Sequence, residues 1–159
     1  MFSKLLVPLD GSKMAENALD YARHLARQND SVIHLVHVSA AGWIVGDVTG
    51  FGGYPIPQAI LDTEVESQTA YLAKIKADLE ADKLTVFVHA TQGEPSMEIL
   101  DLADKHSCDL IVLTSHGRTG LNRFLIGSVA ERIARHASCP VMIVGRASVK
   151  AKDAAAQLV

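Results

Sequence analysis

Short apolar runs alternate with segments of helical period along almost the whole chain, and no other feature constrains the fold as much. Lys4-Leu-Leu-Val-Pro-Leu9 is a strand-length run closed by Asp10-Gly11-Ser12. Met14, Ala15, Ala18, Leu19, Ala22, Leu25 and Ala26 then recur three and four apart, the period of an amphipathic helix. Ser12 stands where a side-chain oxygen caps such a helix. Further strands are predicted from Val32 to Val38, Thr85 to Ala90, Leu110 to Thr114 and Pro140 to Val144. Helices are predicted from Gln58 to Asp82, from Pro95 onward and from Ser128 to Ala137. Leu61, Val65, Leu72, Ile75 and Leu79 mark the apolar face of the first of these, and Ile99, Leu102 and Ala103 that of the second. Proline suits the first turn at Pro95, and the unbroken apolar run at Leu110 predicts a strand buried on both faces. Strands joined by helical crossovers imply an α/β fold, an open five-stranded parallel sheet with helices on both faces, Rossmann-like in plan.

Composition narrows the function. Of 159 residues, 48% are hydrophobic and 21% charged, enough apolar material for one real core. A net charge of −3 argues against a nucleic-acid binder, which would carry a basic domain. No apolar run is long enough to span a bilayer, and Met1-Phe2-Ser3-Lys4 enters a strand without the pattern of a secretory leader. A cytoplasmic protein with no membrane insertion is expected. Cys108 and Cys139 form no metal-ligand or redox motif and are expected as reduced, small apolar residues. The glycine-rich stretch from Ala41 to Pro57 is expected as a mobile surface loop, residues 1–145 as the domain, and residues 146–159 as a frayed tail.

In open parallel sheets, ligands bind beyond the carboxyl ends of the strands where the strand order reverses. Asp10-Gly11, Val38-Ser39 and Ser115 to Gly127 occupy those ends. The last of these carries Gly117, Gly120 and Gly127 and leads into a helix at Ser128, so its backbone donors are placed for an anion. Arg118, Arg123, Arg132 and Arg135 against the single acid Glu131 make the stretch from Ser115 to His136 locally +3. A second reading stays open, in which Ser128 and Glu131 form a capping box that satisfies the same donors.

Leu-Leu-Val-Pro-Leu-Asp10-Gly-Ser, Leu-Val-His-Val38, Gly93-x-Pro95 and Ser115-His-Gly117-Arg-x-Gly120 with Gly127-Ser128 together resemble the universal stress protein family from about Phe2 to Val144. The resemblance implies a stress-response protein that binds ATP, with Mg2+, and no catalytic residue of its own. Its motif falls on Gly117, nine residues, then Gly127-Ser128, with Thr114 where the family has a first glycine. By that matching Pro8, Leu9 and Asp10 line the adenosine pocket and Val38 lies against adenine. Ser115, His116, Gly117, Gly127, Ser128 and Val129 surround the phosphates, Arg118 joins them, and Thr114 stands near the ribose. The resemblance also implies a homodimer through antiparallel pairing of the fifth strand.

Other chemistries remain in view. Asp10 is an alternative Mg2+ ligand. His116 or Arg118 is the candidate group for a phosphate-cleaving enzyme, and Thr114 marks the reading of an interaction module without nucleotide. His34, His37 and His89 are expected as structural or surface histidines, and Phe124 to Ile126 as a core or interface plug.

Overall fold

A computed structural model describes residues 2–39, 58–115 and 126–145. The expectations for the glycine-rich stretch, for the tail and for residues 116–125 lie outside the described residues. In chain order the elements are β1 (Lys4–Pro8), α1 (Lys13–Asn29), β2 (Val32–Ser39), α2 (Gln58–Ala81), β3 (Thr85–Gln92), α3 (Pro95–Lys105), β4 (Leu110–Thr114), α4 (Ser128–His136) and β5 (Val141–Val144). The strands form one parallel sheet in the order β3-β2-β1-β4-β5, which places β1 at its centre and β3 and β5 at its edges. Chain order reverses between β1 and β4, so the switch point lies where the sequence places it.

The alternation of side chains along β1 divides the core. Leu5 and Val7 point to the layer of α1 and α2, where Ala15, Ala18, Ala22 and Ala26 bring α1 close to the sheet and Leu72 and Leu79 anchor α2. Leu6 points to the layer of α3 and α4, against Ile99, Leu102, Ile111 and Ile133. The expectation for β4 is met, since all five of its residues are buried. Strands β2 and β3 run on to Ser39 and Gln92, beyond their apolar runs, because the ladder continues through Val38↔Thr91 and Ser39↔Gln92.

Ser12 caps α1 as expected, accepting from the Ala15 N–H at 3.1 Å. The turn before it needs Gly11, whose φ is +82°. At the other end of the sheet, three helices are left through residues with a Cβ in the left-handed region: Asp30 after α1, Lys83 after α2 and Ser107 after α3. Burial, with Cys139 and Asp109 adding, pushes the Cys108 thiol up to about 11. Both cysteines are unpaired, and a protonated, buried thiol is a poor nucleophile and metal ligand.

Imidazoles gather at the same end. His34 of β2 is buried; His37, three residues further along the strand and so on the opposite face, is buried with its ring edge-on to Tyr71. His34 instead meets His89 of β3 and His106, the residue that ends α3. Burial, with His89, His106 and Lys4 adding, lowers the His34 pKa to about 4. His89 is lowered as well, by burial first and then by His106 and Lys105. Both rings are neutral at pH 7.

Candidate functional site

A cavity of about 290 Å3 opens at the carboxyl end of the sheet, across the switch point. Pro8, Leu9 and Asp10 from the end of β1, Val38 from β2, and Thr114 and Ser115 from β4 line it, together with Gly127, Ser128 and Val129 at the start of α4. Nine of the sequence-predicted residues thus converge from four segments of the chain. His116, Gly117 and Arg118 lie outside the described residues. Ala15, Val36, Pro95, Ile99, Leu113 and Ala130 also line the cavity and were not singled out by the sequence as site residues. They are small or apolar; Pro95 reads as a helix start and as part of the family motif, and Ala15, Ile99 and Ala130 carry no signal beyond that of core. The other two have a usable one: Val36 and Leu113 precede Val38 and Ser115 by two residues, so they share their faces of β2 and β4.

The chain leaves the sheet at Ser115 and returns beside it, because the Gly127 N–H donates to the Ser115 carbonyl at 2.8 Å. Here the structure decides between the two readings of Ser128. Gly127 is the N-cap of α4, in extended conformation (φ −60°, ψ 149°), and among the described residues no side chain caps the helix. Its carbonyl accepts from the Glu131 N–H at 2.9 Å, so the helix begins one residue too early for a box between Ser128 and Glu131. The Glu131 carboxylate pairs instead with Arg135 at 2.8 Å. The first N–H groups of a helix have no partner within it, and those of α4 start on the cavity wall. Ile126 is 50% exposed, so of the two roles expected for Phe124 to Ile126 it does not serve as a core plug, while the interface role is untouched; Phe124 and Leu125 lie outside the described residues.

Two further contacts set the electrostatics. The Asp10 carboxylate accepts from the Ser12 N–H at 2.9 Å and the Ser12 hydroxyl at 2.6 Å, so its orientation is fixed by the turn that starts α1. Glu94 caps α3 from across the cavity, accepting from the Met97 N–H at 2.8 Å and the Ser96 hydroxyl at 2.6 Å. Burial works against the Glu94 charge, but those bonds and the Arg132 guanidinium at 3.4 Å hold its carboxyl below the usual range. The positive local charge read from the sequence is therefore partly spent: Arg132 answers Glu94 and Arg135 answers Glu131. The described residues bring to the cavity an apolar slot, one oriented carboxylate, three hydroxyls and a helix start without a side-chain cap.

Comparison with known proteins agrees with this fold. The model of the universal stress protein family matches residues 1–145. Universal stress protein MJ0531 of Methanocaldococcus jannaschii is 33% identical over 147 residues, 91% of this chain and 82% of that one. The solved structure of MJ0577, from the same organism, is similar at a TM-score of 0.79 and 29% identity, covering 92% of this chain and 97% of the other. A universal stress protein solved in complex with cAMP shares the fold at a TM-score of 0.66 and 21% identity, covering 91% and 97%.

Proposed function

Since the chain belongs to the universal stress protein family, we propose that its cavity takes an adenine nucleotide, ATP with Mg2+, and that it serves as a nucleotide-binding stress-response protein rather than an enzyme. The observation that carries this reading is the start of α4, which no side chain among the described residues caps, opening onto an apolar cavity. Val36, Val38, Ile99 and Leu113 offer the flat apolar walls an adenine needs, and the pre-oriented Asp10 carboxylate suits a ribose hydroxyl. The N–H groups of Ser128, Val129 and Ala130 suit phosphate oxygens, with the macrodipole of α4 adding to them. His116, Gly117 and Arg118 are assigned to the phosphates by motif alone. Thr114, in place of a glycine, sets a hydroxyl beside the sugar. The cAMP complex of a protein of the same fold supports the adenine nucleotide class.

Magnesium fits this site as a passenger of the nucleotide. Asp10 is the single carboxylate among the described lining residues, and nucleotide-bound Mg2+ keeps most of its waters and needs no more. Bound there, it would neutralise phosphate charge. Among the described lining residues no imidazole or second carboxylate stands ready to activate a water, so the reading is of a binder. Calorimetry is expected to give one ATP per chain and weak or no binding of GTP. ATP recovered afterwards should be intact, with turnover well below about 1 s⁻¹. Failure of ATP, ADP and AMP all to bind would overturn the site, and steady turnover near that rate would make the protein an enzyme.

The same reading extends to a homodimer through β5. That strand is an edge, and an unblunted apolar edge pairs with another strand; a two-fold axis makes the pairing self-complementary. Pro140 and Val144 turn their carbonyls toward β4, accepting from Ile111 and Ser115. By alternation Val141 and Ile143 turn their backbone groups to the free edge. Met142 packs on the α1 side of the core and Ile143 on the α3 side, so lysine at either would test packing as well as pairing. Val141→Pro removes one outward N–H, at the first position of the strand, where proline is tolerated. Light scattering is expected to show a monomer for this variant; an unchanged dimer would move the interface elsewhere.

A further inference from the structure

The imidazoles at the amino-terminal end of the sheet have no part in nucleotide binding, and their arrangement calls for an occupant. His34 Nδ1 lies 3.0 Å from His89 Nε2. The ring centroids are 5.3 Å apart for His34 and His89, 4.8 Å for His34 and His106, and 4.7 Å for His89 and His106. One nitrogen from each of the three residues lies within 4.8 Å of the other two. Packing alone explains one stacked pair. It does not by itself bring one nitrogen from each of three rings, carried on separate elements, within 4.8 Å of one another.

We propose that His34, His89 and His106 form a three-histidine site for a borderline divalent transition-metal ion, Zn2+ in the first place, with a fourth position open to solvent. A tetrahedral ion with metal–nitrogen bonds of about 2.0–2.1 Å holds its ligand nitrogens roughly 3.3 Å apart. One pair already stands near that separation, and side-chain rotations of an ångström or so bring in the third. The hydrogen bond between His34 and His89 is exchanged for two bonds to the ion. An all-nitrogen set suits Zn2+, Cu2+ or Ni2+ and excludes the oxygen-seeking Mg2+ and Ca2+.

The backbone prepares the site. His34 and His89 sit on one face of adjacent strands, fixed by the pairs His34↔Phe87 and Val36↔His89, and the Phe87 ring stacks on His34 at 5.4 Å. His106 is held by its N–H to the Leu102 carbonyl and by Lys4 Nζ on its own carbonyl, each at 3.0 Å. Histidine binds a metal through its neutral ring, and burial lowers the pKa of both His34 and His89. Lys4 and Lys105 are the charged groups that bear on the cluster. Their positive charge opposes a dication and weakens its binding. The ion would fasten the edge strand β3 to β2 and both to the end of α3.

Titration of the metal-free, nucleotide-free full-length protein with Co2+ tests this directly. One equivalent is expected to bind with the visible absorption of a tetrahedral ion and to be displaced by Zn2+, and Zn2+ should raise the melting temperature. His106→Gln and His89→Gln each should bind at least about tenfold more weakly and lose the spectrum, with unchanged circular dichroism. Cys108→Ser should bind as the parent does. Absence of a one-to-one Co2+ or Zn2+ complex at about 100 μM, or unchanged binding in both histidine variants, would overturn the site. Because no nucleotide is present, failure of the ATP reading leaves this result untouched.

Discussion

Replacing Ser128 with proline is expected to leave the fold standing and to weaken ATP binding at least about tenfold, or about 1.4 kcal/mol. Proline is at home in the first position of a helix, where its missing N–H has no helical partner to lose. Gly127 before it already has the extended backbone that a following proline demands. The change therefore deletes one N–H and one hydroxyl from the cavity wall without disturbing α4. A hydrogen bond to a charged group is worth about 1.5–3 kcal/mol, which sets tenfold as the floor. Calorimetric titration of the variant, with its melting temperature measured alongside, checks the point. Unchanged affinity in a folded variant would remove the start of α4 from the binding site.

The second large effect concerns the sheet beneath. Leu5 and Leu6 are adjacent, both fully buried, and face opposite layers from the central strand. Leu5→Ala and Leu6→Ala are each expected to cost about 2–5 kcal/mol, the range for truncating a buried leucine. Either is a large share of the roughly 5–15 kcal/mol that holds a domain together. Phe87→Ala removes a bigger side chain, but from an edge strand where it is 51% exposed, and should cost much less. Urea unfolding gives all three numbers. If Leu6→Ala proved as mild as Phe87→Ala, the layer of α3 and α4 would not be packed on β1 as described.

The sheet was legible in the sequence because buried parallel strands and amphipathic helices each impose a period that few other structures share. Strand ends were less so: Thr91 and Gln92 are polar, and only the partner strand keeps them in the ladder. The candidate site was half legible. Asp10, Thr114 and Gly127 carry chemistry at predictable places, whereas Ala15 and Ala130 line the cavity only because their helices start beside it. The Ser128 and Glu131 pattern misled because a capping box needs its serine outside the helix, and the turn at Gly127 draws Ser128 inside. The histidine cluster had no sequence spacing at all. Its members come from β2, β3 and the end of α3, and only strand register brings them together.

The left-handed helix exits bear on where this chain can grow. Between a helix and the following strand, the connections at 30–31, 82–84 and 106–109 each pass through one of them and span at most four residues. Connections at the cavity end include residues 40–57 and 115–127. Doubling a connection that is already long adds only about 0.6 kcal/mol of closure entropy. Lengthening a tight exit means rebuilding a backbone conformation that side chains other than glycine rarely adopt. Grafted peptides, purification tags and new recognition segments therefore belong at the cavity end, where added length can alter what is bound, while the opposite end keeps the architecture constant.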